Sequence, residues 1–156
     1  MQKITPFLWF DKEAREAATF YTSVFKDSKI KNSTTLRNTP SGAVEIVAVE
    51  LCGQKFTLMS AGPLFKFNEA ISFVVHCDSQ KEIDYYWEKL SAVPEAEQCG
   101  WLKDKYGLSW QIVPTALEKM LQDKDARKVA RVTKAFLKMK KFDIAALRRA
   151  YKGGAV

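Results

Sequence analysis

The sequence predicts an α+β fold, built from two consecutive βαβββ modules and a helical extension at the C-terminus. Three observations predict it: strand and helix patterns alternate along the chain, the same order of patterns occurs twice, and the charge changes sharply after Pro114. We place the modules at residues 1–63 and 64–114 and the extension at 115–156, and we expect a single structural domain overall. A chain of 156 residues is long enough to bury a core of this kind.

The second module shows the pattern most clearly. Apolar and other residues alternate over 71–77, in a run rich in β-branched and aromatic side chains, which predicts a strand. Ser79 followed by Glu82 has the spacing of a capping box and predicts the start of a helix. Apolar residues then recur over 83–90 with helical spacing. Two alternating segments joined by a glycine-containing turn predict a hairpin over 100–113.

The first module repeats this order. A strand is predicted over 4–10, and Asp11 is the expected N-cap of the helix that follows. The first strand lies 67 residues before its counterpart, and the apolar stripe of the first helix lies 66 residues before its own. Further strands are predicted at 29–37, 44–51 and 56–60. The repeat therefore also predicts a strand in the short polar segment 91–98 of the second module.

The extension differs from the modules in its charge. Residues 1–114 contain 13 basic and 14 acidic side chains, whereas residues 115–156 contain 12 basic and four acidic ones. Three helices are predicted there: one over 115–121, one from an Asp123 cap to residue 139, and one from an Asp143 cap to residue 150. Because the positive charge is confined to the extension, a nucleic-acid groove through the modules is disfavoured.

Cysteine content and hydropathy indicate a cytoplasmic protein. The three cysteines, Cys52, Cys77 and Cys99, are odd in number and lack metal-ligand spacing, so reduced thiols are the simplest interpretation. No apolar run approaches the roughly 20 residues that a membrane helix needs. The first residues read as a strand and a helix, and we expect no signal peptide.

Four segments carry a resemblance to a known family. ITPFLWFDKEAREAATFYTSVF, GPLFKFNEAISFVV, CGWLKDKYGLSWQIVP and RVTKAFLKMKKFDIAAL resemble the PhnB-like group of the vicinal oxygen chelate superfamily. That superfamily includes glyoxalase I, extradiol dioxygenases and fosfomycin-resistance proteins, and many PhnB-like members are labelled 3-demethylubiquinone-9 3-methyltransferase-like. The resemblance implies that each module curls its sheet into a half-barrel, that the half-barrels pair, and that the chain forms a homodimer.

The resemblance also says where a metal would be held. Chelating members of the superfamily use a His or Gln on the first strand of each module and a Glu on the last. The matching positions here are Thr5 or Pro6, Ser72 or Phe73, Thr57 and Gln111. A catalytic metal needs about three protein ligands, usually with charge among them. We therefore expect no bound metal, no cofactor and no metal-dependent glyoxalase or dioxygenase chemistry.

A cavity for a small, partly apolar ligand is the leading prediction for a site. Its expected ligand-binding residues are Trp9, Phe56, Thr57, Ser72, Trp101, Trp110 and Gln111. Each of the aromatic side chains can instead belong to the core. His76, the only histidine, is a candidate general base, although it can equally have a structural or surface role.

Three functions follow from these observations. The first is an uncharacterised glyoxalase-fold protein that binds a small molecule in a metal-free cavity, with or without catalysis. The second is a methyltransferase of the 3-demethylubiquinone type, which rests on the family label; the seven glycines form no glycine-rich donor-binding turn. The third is a dimeric interaction module with a basic tail. We expect neither a membrane nor a nucleic-acid partner, since acidic residues interrupt the basic extension.

Overall fold

The computed structural model describes residues 2–154 of the chain. The chain forms two compact units. We call Met1–Phe67 unit 1 and Asn68–Val156 unit 2. Within the described residues, five α-helices and seven strands form a mixed α+β structure with one four-stranded and one three-stranded sheet. No helix in this part of the chain is long and apolar enough to cross a membrane.

Unit 1 has the predicted βαβββ order. Its elements are β1 (Phe7–Phe10), α1 (Ala14–Val24), β2 (Lys29–Thr39), β3 (Gly42–Leu51) and β4 (Gln54–Ser60). The strands lie in the order β1-β4-β3-β2, with β1 parallel to β4 and the other pairs antiparallel. Helix α1 contacts β2, β3 and β4. The first sheet is thus closed on one side by the helix that follows its first strand.

The start of α1 corrects one prediction. The N-cap position belongs to Glu13, which makes no side-chain cap hydrogen bond, and the helix begins at Ala14. The Ala14 amide instead donates to Ser60 Oγ at 2.9 Å. The prediction of Asp11 as the N-cap is wrong because a hydroxyl from the last strand of the sheet satisfies the free amide that a local cap would have served.

Unit 2 repeats this arrangement with one strand fewer. Its elements are β5 (Ser72–Cys77), α2 (Gln80–Leu90), β6 (Trp101–Lys103), β7 (Ser109–Pro114), α3 (Thr115–Leu121), α4 (Ala126–Phe136) and α5 (Ile144–Lys152). The strand order is β5-β7-β6, with β5 parallel to β7 and β6 antiparallel to β7. Helix α2 contacts all three strands.

The register of the strands confirms the predicted repeat. Phe7 aligns with Thr57 in unit 1, and Val74, which lies 67 residues after Phe7, aligns with Gln111 in unit 2. Thr57 and Gln111 each follow the glycine of their hairpin turn by four residues. The two units therefore share both the order of their elements and the pairing of first and last strands.

The predicted strand in segment 91–98 is wrong. Pro94–Ala96 forms a short 3-10 helix, and the segment's recorded pairing is an isolated bridge between Gln98 and Trp101. Proline has no amide hydrogen to donate to a strand partner, and its fixed φ suits the first turn of a helix. Because this segment forms no strand, the sheet of unit 2 has three strands where that of unit 1 has four.

The helix starts in unit 2 agree in part with the predicted caps. Ser79 Oγ accepts from the Glu82 amide at 3.2 Å, as predicted, and Glu82 Oε2 accepts from the Asp78 amide at 2.7 Å. Asp143 caps α5 as predicted. The predicted Asp123 cap is wrong, because Asp125 caps α4. Asp123 lies two residues before this cap and accepts a hydrogen bond from the Asp125 amide.

The helices after Pro114 pack within unit 2. Arg131 of α4 donates to the carbonyl oxygens of Ala150 and Tyr151 at 3.0 and 2.8 Å. The Gly100 amide donates to the Lys140 carbonyl at 2.7 Å, which ties the loop before β6 to the connection between α4 and α5. Gln80 of α2 donates to the Phe142 carbonyl. Backbone and side-chain hydrogen bonds therefore hold the helical extension against the second sheet and its helix.

Candidate functional site

The register of the second sheet assembles two rows of side chains on one surface. In the first row, Ser72 of β5 aligns with Ser109 of β7, which aligns with Lys103 of β6. In the second row, Val74 aligns with Gln111, which aligns with Trp101. Aligned residues of neighbouring strands share a face, and residues two apart on one strand do so as well. We call the surface formed by these six residues the open face; five of them are at least partly exposed, and Ser109 is buried beneath its neighbours.

The other surface of this sheet is its buried side. Leu102, Trp110 and Ile112 are the alternate residues of β6 and β7, and all three are buried. Ile83 and Leu90 are the buried residues of α2, which contacts all three strands. Helix α2 thus covers one face of the sheet, and the six residues above point away from it.

A hydrogen bond links the two rows of the open face. Gln111 Nε2 donates to Ser72 Oγ at 2.9 Å. This bond fixes the Gln111 amide, whose oxygen can still accept, while the Ser72 hydroxyl can still donate. Val74 is 44% exposed beside this pair. The centre of the open face therefore offers a hydrogen-bond donor and an acceptor next to apolar surface.

Ser109 is the most unusual residue of the first row. Its Oγ is buried and has no hydrogen-bond partner among the described residues. Burial of a hydroxyl without a partner costs about 1–3 kcal/mol. Because an unpaired buried hydroxyl is costly, Ser109 is a candidate for a hydrogen bond to a bound molecule.

Lys103 ends the first row in an ion pair with Glu69. The lysine side chain is 23% exposed and the glutamate side chain 62% exposed. The hydrogen bond from Lys103, the Glu69 backbone amide and the Lys103 charge together lower the pKa of the Glu69 carboxyl. Glu69 therefore remains an anion and supplies the counter-charge of a cation that is largely withdrawn from water.

The predicted ligand-binding residues fall into three groups. Ser72, Trp101 and Gln111 lie together on the open face of unit 2. Trp9 and Thr57 lie in unit 1, where Trp9 aligns with Met59 and Thr57 with Phe7. Whether any of these five residues binds a ligand stays a prediction.

Trp9 has an internal partner of its own. Its Nε1 donates to the Gly62 carbonyl at 2.7 Å, and its ring meets the edge of Phe65 with centroids 4.9 Å apart. These contacts order the segment after β4. Trp9 is thus only partly buried, but its one polar atom is already used.

Phe56 and Trp110 form the third group, and whether either residue binds a ligand stays a prediction. Both are core residues, with 6% and 3% of their surface exposed. Each is one residue from a predicted polar contact, Thr57 or Gln111, and successive residues of a strand point to opposite faces. They stabilise the packing beneath α1 and α2 and do not lie on the open face.

Asp104 explains how Trp110 is held. Asp104 is fully buried and accepts from the Tyr106 amide at 2.9 Å and the Leu108 amide at 3.0 Å. Its second oxygen accepts from Trp110 Nε1 at 2.9 Å. These bonds satisfy a buried carboxylate and fix the β6–β7 turn, and so they position Ser109 and Gln111.

Sequence patterns did not identify Lys103, Ser109 or Asp104 as important. Strand alternation supplied a usable signal for one of them, because Ser109 is two residues before Gln111 and must share its face. The role of Lys103 depends on the register of β6, and that of Asp104 on the fold of the turn. Neither is visible in local spacing.

His76 and Cys77 lie at the end of β5. His76 is exposed, and its Nδ1 is 3.1 Å from Glu118 Oε1 of α3. Burial raises the pKa of the Cys77 thiol to about 12, with smaller contributions from Glu82 and Asp78. Cys77 is therefore a protonated core thiol, and the catalytic role of His76 stays a prediction.

The donor atoms at the predicted metal positions do not fit a metal ion. Thr57, Ser72 and Gln111 supply hydroxyl and amide groups, and the Gln111 amide is bonded to Ser72. The described residues contain no group of three or more His, Cys, Asp or Glu side chains placed to hold a metal. Neutral hydroxyl and amide groups alone are weak ligands for a divalent metal ion.

Comparisons with known proteins agree with this geometry. The model of the 3-demethylubiquinone-9 3-methyltransferase family matches residues 2–113. A solved PhnB protein from Bacillus cereus with the same methyltransferase label is 33% identical; the match covers 73% of this chain and 100% of that one, with a TM-score of 0.61.

More distant likeness shows the fold alone. The fosfomycin resistance protein FosX from Listeria monocytogenes is 15% identical, with 78% of this chain and 98% of that chain covered and a TM-score of 0.57. No curated protein matches the chain in sequence. The predicted fold class is confirmed, and so is the predicted family: this chain belongs to the 3-demethylubiquinone-9 3-methyltransferase family and is similar to its PhnB-like members.

Proposed function

We propose that this protein binds a small, partly apolar molecule on the open face of unit 2, without a metal ion. The observation that carries the proposal is the hydrogen bond from Gln111 to Ser72, which presents an ordered acceptor and donor beside Val74 and Trp101. Ligand sites typically combine apolar walls with a few fixed polar groups. The open face has this composition.

The chemistry of the family positions supports a ligand held by hydrogen bonds. Chelating relatives place a carboxylate on the last strand, where this chain has Gln111, and a His or Gln on the first strand, near Ser72. Neutral amide and hydroxyl oxygens bind transition metals weakly but exchange hydrogen bonds readily with polar organic groups. The same positions can thus orient a molecule that relatives bind through a metal.

The proposal is tested by titrating the isotopically labelled protein with indole-3-acetamide, an uncharged probe with a flat apolar ring. We expect saturable NMR shift changes at Val74, Trp101 and Gln111. Gln111→Leu should weaken binding about tenfold, since a hydrogen bond to the ligand is lost. Gln54→Leu, an exposed position in unit 1, is the matched control. Shifts confined to α2, or no saturation at all, would contradict the proposal.

The metal part of the proposal has a separate test. The protein is dialysed against Zn²⁺, Ni²⁺ and Mn²⁺ and its metal content is measured. We expect less than stoichiometric retention of each ion after a wash, and no change in the resonances of Ser72 or Gln111. Tight retention of one ion per chain with shifts at these residues would overturn the metal-free site.

The methyltransferase label implies a methyl donor such as S-adenosylmethionine. The connections after the parallel strands of this chain lack the turn that commonly binds such a donor. Such donors are commonly held by a glycine-rich turn after a parallel strand. The connections after β1 and β5 contain Asp11–Glu13 and Asp78–Ser79, and neither contains glycine. Calorimetry with S-adenosylmethionine decides this alternative: saturable binding would favour the methyltransferase over a simple binding protein.

We also propose a homodimer. Strand β2 is an outer strand of its sheet, and all but one of its residues are exposed, including Leu36. A long exposed edge strand is a position at which natural proteins pair with another chain or are covered. Sedimentation velocity should show a dimer of the full chain, and Leu36→Lys should shift it toward monomer. A monomer at all concentrations would exclude it.

A cytoplasmic location is the last part of the proposal. Cys52, Cys77 and Cys99 are all free thiols. Free thiols of this kind are typical of a reducing compartment. Fractionation of cells that express the full-length protein tests the location, and recovery from an oxidising compartment would contradict it.

A further inference from the structure

We propose that Lys103 and Ser109 form a subsite for the carboxylate of a small organic acid, and that Glu69 pairs with the lysine of this subsite when no ligand is bound. The inference rests on the proposed function, because the subsite is the first row of the open face. It adds the ligand class, which is an organic acid with a small apolar group. It also adds Glu69 as an internal competitor of that acid.

The first support is the geometry of the row. Lys103 and Ser109 are directly aligned across the antiparallel β6–β7 pair. The Cβ atoms of such a pair stand about 5 Å apart. The Glu69 carboxylate pairs with the lysine ammonium but makes no bond to Ser109, so a ligand carboxylate must lie between the two aligned side chains to contact both. One carboxylate has two oxygens, and it can take one hydrogen bond from each group.

The second support is the buried hydroxyl without a partner. Ser109 is 1% exposed, and its Oγ is the one buried side-chain polar atom without a hydrogen bond among the described residues. Gln111 and Ser72, the neighbouring polar residues, are already bonded to each other. An acceptor on a ligand would satisfy Ser109.

The third support is that an anion already lies at this position. The Glu69 carboxylate pairs with Lys103, but its side chain is 62% exposed while that of Lys103 is 23% exposed. Glu69 lies outside the strands, in the segment before β5. An exposed carboxylate on a loop can be replaced at modest cost, whereas the lysine is fixed in the sheet and keeps its need for a counter-charge.

The neighbouring row defines the rest of the ligand. Val74 and Trp101 align with Gln111 on either side of it, in the second row of the open face, and both present apolar surface. A molecule that places its acid group on the first row therefore places its apolar part on the second. The lysine contact is a charge-assisted hydrogen bond, and such bonds are about twice as strong as neutral ones.

The test compares indole-3-acetate with indole-3-acetamide, which differ only in the acid group. We expect the acid to bind the intact protein about tenfold more tightly than the amide, as expected for a hydrogen bond to a charged group. Lys103→Gln should remove this preference and leave amide binding within about twofold. Lys81→Gln, the same charge change at the start of α2, should leave the preference intact.

Glu69→Gln tests the internal competitor. Without its carboxylate the acid should bind about three- to fivefold more tightly, in keeping with the strength of an exposed ion pair, while amide binding should not change. Glu88→Gln on α2 is the matched control and should change neither affinity. Equal gains for acid and amide in Glu69→Gln would overturn the role of Glu69.

Ser109→Ala separates a ligand contact from a merely structural residue. Removal of an unpaired buried hydroxyl should raise the melting temperature of the ligand-free protein by about 3 °C and weaken acid binding severalfold. A lower melting temperature, or unchanged acid binding, would overturn the role of Ser109.

The outcomes distinguish this inference from the proposed function. If acid and amide bind the open face equally, the acid subsite is wrong and the proposed function stands. If neither probe shifts the open face, the proposed function fails and the subsite fails with it.

Discussion

The two sheets share their pairing but differ in the chemistry of equivalent rows. In unit 1, Lys55 of β4 aligns with Glu50 of β3. In the corresponding row of unit 2, Ser109 of β7 aligns with Lys103 of β6. Glu50 in turn pairs with Lys31 at 3.7 Å on the neighbouring strand. The charges of unit 1 are thus balanced by residues of the sheet itself, while Lys103 draws its counter-charge from a loop.

The next row differs in the same direction. In unit 1 it contains Phe7, Thr57 and Ala48, and in unit 2 it contains Val74, Gln111 and Trp101. The second unit therefore has the larger hydrogen-bonding side chain and the larger apolar wall. The two copies have kept the same register while the side chains of this row differ. The comparison explains why we propose the site in unit 2.

The largest expected effect concerns two aspartates, Asp104, which is buried in the hairpin turn of unit 2, and Asp11, which is exposed between β1 and α1 of unit 1. Asp104→Ala removes the acceptor of two backbone amides and of the Trp110 indole in unit 2, which should destabilise that unit by about 3–5 kcal/mol. Urea unfolding followed by amide hydrogen exchange in β7 measures the loss. Asp11→Ala in unit 1, where the carboxylate caps no helix, should change stability by less than about 0.5 kcal/mol. Equal effects would break the comparison.

The next effect concerns glycines with positive φ. A Cβ at Gly100 would lie 2.4 Å from Phe142 Cε2, and its φ is +81°. Gly100→Ala should therefore cost about 3 kcal/mol from strain and overpacking. Gly42→Ala has a similar φ of +79° with nothing within 4 Å, and should cost only about 1 kcal/mol. Thermal unfolding of both variants shows whether contact with the helical extension makes the difference.

The helix caps give a smaller and nearly equal pair of effects. Ser60→Ala removes the acceptor of the Ala14 amide in unit 1, and Ser79→Ala removes that of the Glu82 amide in unit 2. Each should cost about 1 kcal/mol. Exchange of those two amides, followed separately, assigns each loss to its own helix. Loss of protection at Glu82 in the Ser60 variant would show that the caps are not independent.

The last effect is absent at neutral pH and concerns Cys77, the residue equivalent to Phe10. Because burial raises its folded pKa from the usual 9.0 to about 12, the folded thiol keeps its proton when the unfolded one ionises. Its contribution to stability is therefore intact below pH 9 and declines as the pH rises toward 12. Cys77→Ala should flatten the decline measured between pH 9 and 11. At pH 8 a thiol reagent should label the exposed Cys52 and spare Cys77.

The sequence by itself determined the elements and the duplication. Alternation over 71–77, the Ser79 and Asp143 caps and the offset of 67 residues all act within a few residues or between two copies of one pattern, and the structure has them. The positions of Gln111 and Ser72 came from the family resemblance. The family resemblance followed from the same segments.

The tertiary structure alone decided which side chains meet. Ala14 takes its cap from Ser60, 46 residues away, and Gln111 bonds to Ser72 across 39 residues. Whether Trp110 faces the core or the ligand depends on which side α2 covers. Strand register and helix placement depend on the packing of the whole unit, because the energies of individual contacts are small and their sum selects one arrangement. The subsite of Lys103, Ser109 and Glu69 is a product of that selection.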